Sequence, residues 1–132
     1  MIDTSTGSIN INDIVLSPKL TTDDFKNSTL YKGGSLERMY AIKEPKNISG
    51  KSFIVSVYFV NGYLKEIQLY LVEDKESSSD DWSKNTEKDK KKVQDEWLKS
   101  LLGKGQYNYS WGHIESVYDP KGGFSLIIIR YK

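Results

Sequence analysis

Cysteine is absent from this chain, which excludes disulfides, thiol chemistry and cysteine-ligated metals. Histidine occurs once, at His113, so there is no pair of histidines at metal-ligand spacing, and any hydrolase triad would have to use that one ring. Net charge is nearly absent: 19 Lys+Arg against 18 Asp+Glu leave +1, which gives no global pull toward nucleic acid, membranes or acidic ligands. No run approaches the ~18 consecutive apolar residues of a membrane span. Met1 to Ser8 carries neither the basic nor the apolar segment of a signal peptide. The expected compartment is the cytoplasm, with earlier removal of a leader as the alternative.

What the chain does have is aromatic area. Three Trp, nine Tyr and four Phe supply enough apolar surface for one core in 132 residues. One domain spanning 1–132 is expected, with the polar residues 1–8 frayed. Ile9 to Leu16 reads as a short strand stopped by Ser17-Pro18. Thr21 followed by Asp24 is a capping-box variant that opens a helix of one or two turns, ended by Asn27-Ser28. Leu36 to Ile42 suggests a strand, and Glu44 to Gly50 reads as a loop.

Ser52 to Val72 is the clearest hairpin, turning at Asn61-Gly62. A two-residue loop would set Val57 opposite Glu66 and Val55 opposite Gln68, mixing polar and apolar groups. A three-residue loop sets Phe53, Val55, Val57 and Phe59 against Leu69, Ile67, Lys65 and Tyr63. The second register leaves one nearly clean apolar face, so it is the one expected. The other face then presents Ser56, Tyr58, Glu66, Gln68 and Tyr70, with Ile54 and Leu64 among them.

Asp80 to Leu102 reads as a long helix, capped by Ser79 or Asp80 and stopped by Gly103. Val93, Trp97 and Leu101 form its apolar stripe at i, i+4, i+8, with Leu98, Leu102 and Trp82 beside it. Its six Lys are matched by six acidic residues, so the basic run from Lys88 to Lys92 reads as a solvated, ion-paired face. Residues 106–118 and 124–131 form a second hairpin around Asp119-Pro120-Lys121-Gly122-Gly123. The run Phe124 to Ile129 has the continuous apolar character of a central strand covered on both faces. The fold class expected is therefore α+β: a single antiparallel sheet of about five strands with the long helix on one face.

Catalytic constellations are missing. No serine sits in a Gly-x-Ser-x-Gly context, and the Asp119–Gly123 turn lacks the rest of a phosphate loop. No cofactor, metal site or catalytic residue is expected. His113 reads as a strand histidine satisfied by a neighbour, or else as a general base. In an ideal strand Tyr107, Tyr109, Trp111 and His113 would point to one side. Such a row could anchor a protein partner or simply cover the core. It includes no Arg or Lys, which argues against nucleic acid. Gly112 within it marks a bulge or a close approach of another backbone.

Residues from Trp97 onward, with Trp111-Gly112, Tyr118-Asp119 and Ile127-Ile128-Ile129-Arg130-Tyr131, resemble small uncharacterised bacterial proteins that share a Trp-Gly…Tyr-Asp…Gly…Ile-x-Ile-x-Tyr ending. Compact, Tyr-rich bacterial domains of this kind include immunity proteins and protein inhibitors. The likeness is one of class. A non-enzymatic module that binds another protein is expected from the missing catalytic constellations and the many Tyr and Trp, with Tyr58 and Tyr70 on the mixed face of the hairpin, and Tyr109, Trp111 and His113 of the aromatic run, as contact residues. The alternative is a small-ligand-binding or enzymatic domain with a pocket between sheet and helix, near His113 and Tyr109.

Overall fold

Alternation of apolar and polar residues builds this molecule, and it does so in more strands than the sequence suggests. The computed structural model describes residues 2–72, 84–122 and 124–132. A small hairpin joins β1 (Ile9–Ile11) to β2 (Ile14–Leu16), followed by a short helix α1 (Thr22–Lys26). Then come β3 (Tyr40–Ala41), β4 (Lys46–Ile48), β5 (Lys51–Val60) and β6 (Tyr63–Leu71). A long helix α2 (Lys84–Leu102) leads to β7 (Tyr107–Tyr109), β8 (Gly112–Asp119) and β9 (Phe124–Tyr131). The main sheet runs β3-β5-β6-β9-β8-β7, with β4 also beside β5, and every pairing is antiparallel.

The expected α+β class with about five strands is therefore corrected. Strands take 45% of the chain against 16% for helix, in a seven-stranded and a two-stranded sheet, with one helix of seven or more residues. The extra strands are too short to announce themselves. β3 and β4 are two and three residues long, and β4 occupies a stretch whose Pro, Asn and Gly composition reads as loop. Ile9 to Leu16 is two strands, because Asn12 takes a positive φ of 53° and folds the run back on itself. The cap expected at Ser79 or Asp80, and Trp82, lie outside the described residues.

The central hairpin corrects the expected register as well. Asn61 and Gly62 both have positive φ, 53° and 82°, and Val60 faces Tyr63 across them, so the loop has two residues with the primed-turn twist. A register shift between Tyr58 and Phe59 leaves Lys65 as the extra residue of a bulge. Beyond it, Phe53, Val55 and Val57 face Leu71, Leu69 and Ile67. The bulge thus restores a clean apolar face that a two-residue loop alone would have spoiled. Leu64, expected on the opposite face, sits opposite Phe59 and is buried.

That apolar face is the core. Val55, Val57, Ile67, Leu69, Ile127 and Ile129 are all fully buried on it. Each contributes about 1.5–3 kcal/mol relative to exposure. The two helices, the β1–β2 hairpin with Ile9 and Leu16, and the segment with Leu30 and Leu36 close over it. At the turn end, α1 inserts Phe25 against Phe59 and Tyr40, with ring centroids 5.6 and 5.4 Å away. At the other end, α2 lays Trp97 on Phe53 at 4.9 Å and buries Leu98. The helix is rotated from its expected stripe: Val93 is 37% exposed, while Lys90 and Gln94 are buried beside Trp97 and Leu98. Gln94 Nε2 donates to the Ser116 hydroxyl and the Leu126 carbonyl at 2.9 and 2.8 Å, which leaves its buried Oε1 without a partner among the described residues. Periodicity alone misses this, because long polar side chains cover apolar surface with their stems.

Helix α1 depends on its cap. Thr21 accepts from the Asp24 amide at 3.1 Å, and the Asp24 carboxylate accepts from the Thr21 amide at 3.3 Å. Thr21→Ala is expected to cost about 1 kcal/mol in denaturant unfolding. Thr21→Ser should recover most of it.

Candidate functional site

Side chains alternate across a sheet, so everything out of phase with the core lies on the other side. The register aligns Tyr58, Glu66, Arg130, His113 and Asn108 in one row across five strands. Ser56, Gln68, Ile128 and Glu115 form the next row, and Ile54 and Tyr70 lie beyond it. Both helices pack on the core side, α1 through Phe25 and α2 through Trp97 and Leu98, with the Lys90 ammonium of α2 reaching Tyr70 at the end of this face. Its side chains are half-buried by one another.

At its centre Glu66 is 5% exposed, the exception on a surface that otherwise meets solvent. A buried carboxylate requires partners. Arg130 supplies Nε at 2.8 Å and Nη2 to Oε1, and Gln68 Nε2 donates to Oε2 at 2.8 Å. Donating hydrogen bonds to the Glu66 carboxylate pushes the Arg130 guanidinium further up from its usual value. The Arg130 side chain is 56% exposed, so its remaining donors reach water. Neither residue stood out in the sequence. Arg130 becomes visible once Ile127 and Ile129 are placed in the core, because its own phase is then the opposite one.

Tyr58 and Tyr70 lie where expected, on this face, but they differ. Tyr58 flanks Glu66 in the register. The Tyr70 hydroxyl receives the Lys90 ammonium at 2.8 Å, with that nitrogen 4.4 Å from the ring centroid, so Tyr70 is tied to α2. The row expected from Tyr107 to His113 does not exist. The chain turns at Ser110-Trp111, and Tyr109 pairs with Gly112. Gly112 does meet another backbone: a Cβ there would lie 2.0 Å from the Arg130 carbonyl oxygen.

Trp111 and Tyr109 instead stack on each other, centroids 5.0 Å apart and 8° between planes. Burial pushes the Tyr109 hydroxyl up, and nearby Tyr107 adds to it. Trp111 Nε1 donates to the Thr4 carbonyl at 2.8 Å, and its ring lies against Gly7. Tyr131 donates to the Gly7 carbonyl at 2.6 Å, and burial raises its hydroxyl strongly. Residues 2–8, expected to fray, are held by these two rings, with Ile2 buried and bridged to Ile9.

His113 belongs to the bare face and also to a cleft. Its Nε2 is 3.8 Å from Glu115 Oε1. The cleft, of about 540 Å³, opens at the sheet border between the end of α2, residues 103–106, β7 and β8. Asp95, Leu98, Lys99, Lys104, Gln106, Asn108, His113, Ile114, Glu115 and Ser116 are among its lining. Tyr107 lines it and Tyr109 does not. Ser116 Oγ is engaged by Gln94. Among the described residues no three of His, Asp and Glu gather as metal ligands, and no helix is long and apolar enough to cross a membrane. Comparison with protein-family models, curated proteins and solved structures found no match to this chain.

Proposed function

We propose that this chain is a protein-binding module of the immunity or inhibitor kind, and that it grips its partner with the bare sheet face. The observation that carries the reading is the exposed Arg130 guanidinium, oriented by a buried Glu66, with Ile128 two residues earlier on the same strand face and Tyr58 in the same row on the other side of Glu66. Tyr and Arg over a rigid apolar floor are the side chains that dominate binding energy at interfaces. The matching partner surface is apolar with a carboxylate or carbonyl group that accepts from Arg130.

Folding and binding separate cleanly at Tyr58. Tyr58→Ala is expected to change unfolding free energy by about 1 kcal/mol, because the ring is half-buried, well short of the loss of a fully buried aromatic. Tyr70→Ala, which removes one hydrogen bond and one ring contact from the Lys90 ammonium, is expected to cost about 1 kcal/mol or more. The binding test is retention of a partner from native-host lysate by wild type, then by Tyr58→Ala and Arg130→Ala at matched folding. Loss of retention in both variants supports the reading. Retention unchanged in both, or no partner at all, contradicts it.

A second reading rests on the cleft, whose volume falls in the range of small-ligand sites. A ligand-binding role there predicts a rise in melting temperature with a specific metabolite, abolished by His113→Ala.

A further inference from the structure

The cleft has a wall that a small-molecule pocket does not need. β7 pairs with β8 only from Gly112 to Ile114, and no other strand lies beside that edge among the described residues. The Trp111 carbonyl accepts from the Lys132 amide, on the β9 side. By alternation, odd-numbered residues of β8 direct their backbone groups to β9 and even-numbered ones direct theirs to the β7 side. Gly112 and Ile114 are taken by Tyr109 and Tyr107. Ser116 and Tyr118 are left presenting an amide and a carbonyl each to an edge with no strand beside it among the described residues. Such an edge is a template for another extended chain.

The edge leads into the cleft at Ser116, and there the chemistry changes. Residues 104–107 close the end of the line, so an added strand must stop. Lys99, Lys104, Gln106 and Asn108 stand around that stop. Of the two acidic groups of the lining, Asp95 is engaged by Lys91 at 2.9 Å, and Glu115 lies 3.8 Å from His113 with its side chain half exposed. Lys99 and Lys104 have no ion-pair partner among the described residues. Two unpaired cations and two amide side chains at a strand's dead end suit one group above others, the carboxylate that ends a polypeptide.

We propose that the β8 edge and this cleft bind the free C-terminus of a partner protein, added as a strand antiparallel to β8 with its terminal carboxylate between Lys99 and Lys104. The last side chain, opposite Ser116, lies on the Ile114 and Leu98 side and is apolar. The residue opposite Asp119 is basic, because directly opposed unlike charges stabilise a pair of strands. A second copy of the same edge is a poor occupant: symmetric pairing about Val117 sets Glu115 against Asp119, like against like.

The probe is the peptide fluorescein-Gly-Lys-Thr-Val-Val with a free C-terminus, read by anisotropy on the full chain. Saturable binding is expected, weakened at least about tenfold by C-terminal amidation and again by Lys99→Ala with Lys104→Ala. Acetyl-valine alone should bind at least about tenfold more weakly than the peptide. Amide exchange at Ser116 and Tyr118 should be fast in the free protein and slowed by the probe. The peptide assay reads the β8 edge alone, so its failure is distinguishable from failure of the sheet-face reading, which partner retention tests. No binding, equal binding of the amidated peptide, equal binding of acetyl-valine (a small carboxylate site), or slow exchange at both amides without probe (a self-paired edge) would each overturn the proposal.

Discussion

Gly112→Ala is expected to destabilise the fold by roughly 3–5 kcal/mol, the sum of overpacking and backbone strain. The new methyl carbon would lie 2.0 Å from the Arg130 carbonyl oxygen and 2.9 Å from the Tyr131 Cα. Both are backbone atoms of the paired strand, so no rotamer change can make room. A φ of 151° adds strain for any residue with a Cβ. Relief requires β8 to separate from β9 at the point where Tyr131 and Trp111 hold residues 2–8. The substitution should therefore also expose the N-terminal segment to proteolysis. Gly33→Ala is the control: nothing lies within 4 Å of its added methyl, so only conformational strain remains. Denaturant midpoints for the two variants check the contrast, and similar losses for both would contradict it.

Trp97→Ala is expected to cost about 3–5 kcal/mol, the usual loss for a large buried aromatic. Trp97 is 6% exposed, packs on Phe53, and donates from Nε1 to the Ser49 carbonyl at 3.2 Å. It therefore ties α2 both to the sheet and to the turn between β4 and β5. Trp97→Phe keeps a ring against Phe53 and loses the hydrogen bond, so about 1 kcal/mol beyond the small volume change is expected. Val93→Ala, one turn earlier and partly exposed, should cost far less. The sequence pattern ranks Val93 beside Trp97, so unfolding curves of the two alanine variants decide between the pattern and the observed helix rotation.

How much of this was legible beforehand follows from the physics of each element. The α1 cap was readable, because a capping box is local chemistry within four residues. The buried set Phe53, Val55, Val57, Phe59, Ile67 and Leu69 was readable from period-two alternation. The register was not, because the choice between loop lengths assumed a regular ladder, and the bulge at Lys65 breaks that assumption. β3 and β4 were not, since pairs this short take their conformation from β5 rather than from propensity. The aromatic run ending at His113 misled because alternation presumes an unbroken strand. The site was half legible. Tyr58 and Tyr70 were placed on the correct face, whereas Arg130 needed the register of β9 against β6, a long-range fact.

Among the described residues the sheet is sealed on one face and bare on the other, and β9 displays the contrast within three residues. Ile127 and Ile129 are 0% exposed in the core, while Ile128 between them lies on the bare face. The direct measurement is relaxation of the three isoleucine methyl groups by a soluble gadolinium chelate. Strong relaxation at Ile128 with Ile127 and Ile129 nearly silent is the predicted result. Equal protection of all three, as the continuous apolar run suggests for a strand covered on both sides, would contradict the bare face and the binding role assigned to it.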